Sequence, residues 1–173
     1  MASRALTAGE RALAARVFGA AIDYAKVRIF SRRYLPFQPR NCAMTPNGSL
    51  YFHRSCYLAD FSTARLADQH WFIHEMTHVW QHQLGYPVRL RGAVRLGLDY
   101  HYRLRRGATL ADFNMEAQGD LLADYFVLRL CGRPEAMRWR DQAADPALFG
   151  QVLAGFLADP ASRAHLPRWR RAA

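Results

Sequence analysis

Between Asp68 and Leu84 the chain reads DQHWFIHEMTHVWQHQL, and Phe72, Ile73, Met76, Val79, Trp80 and Leu84 recur in it at helical spacing over more than one stripe. A helix that is apolar on more than one side has to be covered by other elements, so this segment is expected as a buried central helix. Gly85 is placed to cap its C-terminus, with Pro87 just beyond. The same segment carries His70, His74, His78 and His82, four residues apart, and the carboxylate of Glu75. Burying such groups without partners is costly, so the chemistry and the fold of this helix have to be explained together.

His74-Glu75-Met76-Thr77-His78 is a His-Glu-x-x-His pattern. Residues four apart on a helix lie one turn from each other on one face. Two imidazoles placed this way can bind one tetrahedral zinc ion. Glu75 is offset by one residue and does not ligate. It reaches toward the open coordination position, where zinc brings the pKa of a water toward neutrality and the carboxylate accepts the proton. Four histidines cannot all serve one ion, since the first and last lie about 18 Å apart along a helix. His70 and His82 are therefore read as supporting or surface groups.

The third ligand has to come from another element. The metzincin extension needs glycine at 81 and histidine at 84, and the chain has Gln81 and Leu84. The gluzincin solution is a glutamate from a later helix followed by an acid four residues on, and Glu116 and Asp120 supply that spacing in FNMEAQGDLLADYF. Asp120 would accept a hydrogen bond from a ligand histidine and fix its tautomer. His82, Asp99, His101 and Asp124 are rival ligands. Tyr100 and Tyr102 are candidate donors to the oxyanion of a tetrahedral transition state, or packing aromatics.

Elsewhere the signals are local. The 173 residues suit one domain, 1-173, with a real core. Thr7-Ala8-Gly9-Glu10 fits a capping box opening an amphipathic helix with Leu13, Val17 and Ala20 on its apolar face. Lys26 to Phe30 reads as a strand, and Pro36 and Pro39 force an irregular crossing. Asn41 to Thr45 and Ser49 to His53 read as a hairpin around Pro46-Asn47-Gly48. Ser49 to His53 is either an edge strand able to pair with an extended substrate or an interior one. A second long helix is expected up to Leu130, with Thr109, Asp112 or Asn114 as its cap, and a last one opens at Asp145-Pro146. The expected class is α+β: a small antiparallel sheet beside a central metal-binding helix, with a second ligand helix packed on it.

No apolar run spans a bilayer, and Arg4, Glu10, Arg11 and Arg16 interrupt any secretory signal, so a cytoplasmic product is expected as synthesised. Cys42, Cys56 and Cys131 lack paired spacing and are read as reduced thiols. The net charge of +10, mostly arginine, suggests an acidic partner, but no nucleic-acid-binding motif is present. Residues 163-173 read as a basic, mobile tail, with Arg163, Arg168, Arg170 and Arg171 around Trp169.

The opening LTAGERALAARVFGAAIDYAKVRI, the PFQPR crossing, HEMTHVWQHQ and MEAQGD together resemble the Vgr-related proteins, over roughly residues 5 to 135. These are small zincin-like proteins related to the metallopeptidase domain of contractile injection system loci. The resemblance implies a zincin-like fold, a gluzincin-type site, type VI-like secretion proteins as partners, and export through a contractile machine. Met115 stands where thermolysin-like enzymes place asparagine before the ligand glutamate. The expected function is a zinc-dependent hydrolase that cleaves peptide bonds in a peptide or protein substrate. The alternative is a non-catalytic, zinc-stabilised binding or assembly protein of a secretion apparatus.

Overall fold

The computed structural model describes residues 3–94 and 98–168. Its centre is the helix α2, Leu66–Gln83, in which every residue from Phe72 to Gln81 is buried. The apolar residues of several stripes are used on several sides. Trp80 packs against Phe18 and Phe156, and Phe72 stacks on Phe61, which in turn packs on Phe52. The helix ends as its sequence requires. Gly85 adopts φ 89°, its N–H bonds to the His82 carbonyl, and Tyr86 N–H bonds to that of Gln81. This left-handed cap satisfies two of the terminal carbonyls.

The first helix, α1 (Ala8–Phe18), opens with the expected capping box between Thr7 and Glu10. Glu10 does more than cap. Its fully buried carboxylate also takes two hydrogen bonds from Arg4, at 2.6 and 2.7 Å, and one from Phe61 N–H at 2.9 Å. A buried charge needs such partners to be tolerated. The apolar face is completed by Phe18, whereas Ala20 lies beyond the helix and is exposed.

The sheet corrects the antiparallel expectation. Strands β1 (Ser3–Ala5), β2 (Arg28–Phe30), β3 (Ala43–Met44) and β4 (Leu50–Phe52) lie in the order β1-β2-β4-β3. The β1/β2 and β3/β4 pairs are antiparallel, but β2 and β4 run parallel, with Ile29 opposite Leu50. Parallel neighbours need a long crossover, and residues 31–49, with Pro36, Pro39, Pro46 and β3 inside them, supply it. β4 is thus interior and buried along its whole length, so Ser49 to His53 is not the edge strand; β3 is.

Antiparallel to α2 lies α4 (Met115–Tyr125), capped by Asn114, whose side chain accepts from Glu116 and Ala117 N–H. Thr109 and Asp112 instead cap a separate turn, Leu110–Asp112. Beyond Tyr125 the helix widens into a π turn, Phe126–Leu130. The short α3 (Val88–Val94) follows α2, and α5 (Pro146–Ala158) starts at the expected Asp145-Pro146 cap. The expected mobile tail is placed in its first part: Arg163–His165 form a turn, and Arg168 bonds to the Ala111 carbonyl and to Asp112. Trp169, Arg170 and Arg171 lie outside the described residues. Among those described, no helix is long and apolar enough to cross a membrane, and all three cysteines are free thiols.

Candidate metal centre

Because α2 and α4 run antiparallel, two four-residue series face each other turn by turn. His78 lies opposite Glu116, His74 opposite Asp120, and His70 opposite Asp124. The helices approach closely at Gly119, where a Cβ would stand 2.6–3.0 Å from atoms of the His74 ring. A mid-helix glycine costs about 0.5–1 kcal/mol relative to alanine, and the space for the imidazole accounts for it here. Gly119→Ala is therefore expected to push His74 out of line and weaken metal binding about tenfold or more, while helical content is kept. Metal titration beside circular dichroism checks this; unchanged affinity would show that the ring has room elsewhere.

His74 Nε2 and His78 Nε2 lie 3.1 Å apart, and Glu116 Oε2 is 3.3 Å from each. The other nitrogen of each ring is committed. His74 Nδ1 donates to Asp120 Oδ1 at 2.7 Å. His78 Nδ1 donates to Gln81 Oε1 at 2.8 Å, because the Gln81 amide nitrogen is spent on the Met115 carbonyl and Gln118 Oε1. Both Nε2 atoms of the neutral rings are then lone pairs, facing each other and a carboxylate oxygen with no donor between them. Ligand atoms held about 2.0–2.1 Å from a tetrahedral zinc ion stand about 3.3 Å apart, so three of the four corners match in spacing and in chemistry. Two imidazoles and a carboxylate, with no thiolate, suit a first-row transition metal ion such as zinc or iron.

Electrostatics make the same demand for positive charge. Burial works against a charged imidazole, but the carboxylates of Asp120 and Glu116 outweigh it and raise His74 to about 10. His78 is also raised, by Glu116, against burial and its neighbour His74. Burial pushes the Glu116 carboxyl up, and the two histidines reverse that and hold it well below the usual range. The pocket favours positive charge, whether as protons or as a metal ion.

Glu75 is buried on the same cleft, and its Oε2 accepts a 2.6 Å hydrogen bond from the Thr45 hydroxyl at the end of β3. Asp120, fully buried, also accepts from Trp139 Nε1 at 2.9 Å and pairs with Arg138 at 3.2 Å. Tyr100 stacks on the His74 ring with centroids 5.9 Å apart, and the Arg138 guanidinium lies over the Tyr100 ring, 4.9 Å from its centroid. Thr45, His74, Glu75, Tyr100, Asp120 and Arg138 line a cleft of about 1280 Å³.

The two tyrosines part company. Tyr102 is buried and donates to Asp124 Oδ2 at 2.7 Å, so its hydroxyl is spent in the core, and burial drives its phenol far above the usual range. It is removed as an oxyanion donor. The rival ligands also sit elsewhere. His82 is exposed beside Gly48, Asp99 caps the His101 N–H, and His101 packs on Trp139. Asp124 takes His70, Tyr102 and two backbone N–H groups. The sequence does not mark Thr45, Gln81, Arg138 or Trp139 as site residues. Gln81 alone left a signal, standing one turn after His78.

No family model matches the chain. A solved structure of the effector domain of Pseudomonas aeruginosa VgrG2b superimposes with a TM-score of 0.70 and 42% identity, over 90% of this chain and 83% of that one. The chain belongs to the VgrG2b effector-domain family. The type VI secretion system spike protein VgrG2b of Pseudomonas aeruginosa is 49% identical over 133 residues, which is 73% of this chain and 13% of that protein. The chain thus corresponds to a small part of the spike protein's length.

Proposed function

We propose that the chain is a zinc-dependent peptidase acting as an effector module of a type VI secretion spike. The observation that carries this reading is the triangle of acceptor atoms from His74, His78 and Glu116, set at tetrahedral spacing beside a buried glutamate that none of them uses. A zinc ion bound there supplies Lewis acidity toward a peptide carbonyl and lowers the pKa of water toward neutrality. Glu75 accepts the water's proton and returns it to the leaving amine. Thr45 holds one oxygen of Glu75 and leaves the other for that work. Asp120 and Gln81 keep Nδ1 of His74 and His78 protonated, so that Nε2 of each is free to ligate. β3 borders the cleft as an edge strand, and an extended substrate can add to it by backbone hydrogen bonds.

A structural zinc site in a binding protein is closed and has no use for a base. Cleavage of a peptide library, with and without chelator, separates the two functions. Chelator-sensitive cleavage that returns with zinc is expected. A zinc-loaded protein that cleaves nothing in a broad library and in denatured casein would point to assembly.

A further inference from the structure

Two segments that border the cleft carry cations and no carboxylate, as do residues 100–111 and 160–173 elsewhere in the chain. Between Asp23 and Asp60 stand Lys26, Arg28, Arg32, Arg33, Arg40 and Arg54 with no carboxylate; between Glu75 and Asp99 stand Arg89, Arg91 and Arg95, again with none. The rest of the chain is near balance, with fifteen cations and fourteen carboxylates. Both segments border the cleft, through Tyr34, Leu35 and Phe37 on one and Val88, Arg89 and Ala93 on the other. Lys26 is paired with Asp23, whereas Arg32, Arg33, Arg40 and Arg89 form no ion pair among the described residues.

The same two segments carry four of the five exposed large apolar side chains among the described residues: Phe37 at 92% exposure, Leu90 at 58%, Val94 at 47% and Leu35 at 46%. The exposure of Phe37 is built in. Its neighbour Gln38 is buried and pins the loop, accepting from Tyr34 N–H at 2.8 Å and donating to the Cys42 and Tyr51 carbonyls at 2.7 and 3.1 Å. A loop tied down on both sides of its tip presents the ring to solvent at no gain in stability.

We propose that this rim of the cleft docks on an anionic lipid surface, with Phe37, Leu35, Leu90 and Val94 entering the boundary between headgroups and acyl chains and the neighbouring arginines holding lipid phosphates. The alternation of arginine with single apolar side chains decides for lipid over protein. The core of a protein interface is a packed apolar patch, in which Lys, Asp and Glu are depleted although arginine is enriched, and here the exposed apolar side chains stand singly. An interfacial membrane segment instead combines basic residues with separate apolar anchors. The mouth of the cleft then faces the bilayer, and the polypeptide it receives lies at a membrane surface. The docking itself is independent of hydrolysis, so its failure leaves the peptidase reading intact.

Cosedimentation of the full chain with vesicles tests it. Phosphatidylglycerol–phosphatidylcholine vesicles should bind the protein, pure phosphatidylcholine should not, and binding should fall as salt rises. Phe37→Ala should weaken binding about tenfold, Phe37→Trp should restore it, and Leu157→Ala on α5 should change nothing. Each site is exposed, so fold and metal content should be unchanged and serve as controls. Absence of binding to anionic vesicles at low salt overturns the proposal. So does binding that is indifferent to Phe37→Ala, or full competition by soluble polyglutamate, which would mark an acidic protein as the partner.

Discussion

Glu75→Gln is expected to keep the metal and lose about 10²–10⁴-fold in peptide cleavage, the range a positioned general base contributes. The substitution is close to isosteric. The amide oxygen can still accept the Thr45 hydroxyl, so the packing of α2 against β3 should survive. Neither side-chain oxygen belongs to the triangle of acceptors that could hold a metal ion, which comes from His74, His78 and Glu116. What disappears is the capacity to take a proton from water. The measurement is kcat/KM on a peptide chosen from the cleavage profile, made beside metal content on the same preparation. Activity within a few-fold of the parent would remove Glu75 as the base.

Glu116→Ala should cost more metal affinity than any change outside the triangle. It leaves two imidazoles from one helix, with half of the tetrahedral positions given to solvent. Asp120→Ala should be milder, about 10–100-fold, because the Nε2 atoms remain and only the orientation and basicity of His74 suffer. It also frees Arg138 and Trp139 from their shared carboxylate, so some loss of stability should accompany it. His82→Ala, on the exposed side of α2, should leave affinity unchanged. Competition against a chromogenic zinc chelator ranks the variants. An order with Asp120→Ala or His82→Ala below Glu116→Ala would move the third ligand away from Glu116.

The features legible in the sequence were those carried by residues within a turn or two of each other. The α2 helix, its Gly85 cap, the Thr7–Glu10 box and the Asp145-Pro146 start depend on local hydrogen bonds and on the period of one element. Glu116 and Asp120 are legible as partners of α2 from the gluzincin spacing, a glutamate with an acid four residues on. The same four-residue spacing continues to His70 and Asp124, but nothing in the sequence distinguishes a buried His70 from an exposed one. Only the register of α4 on α2 shows it buried against that carboxylate. The parallel β2/β4 pair was missed because strand direction is set by how residues 31–49 cross, and no pattern inside either strand records it. Thr45, Arg138 and Trp139 reach the site from turns and loops whose positions depend on the whole packed core. Tyr100 and Tyr102 have equivalent signals in sequence, two residues apart, and the structure sends one to the His74 ring and the other to Asp124.

X-ray absorption at the zinc edge, on protein whose metal content has been measured, tests the central claim most directly. One zinc per chain is expected, with two imidazole nitrogens and light oxygen ligands at about 2.0–2.2 Å and no sulfur, and with the imidazole signal lost in the His74→Ala and His78→Ala double variant. Metal below about half occupancy after zinc-supplemented expression, or a first shell without two imidazoles, would contradict it.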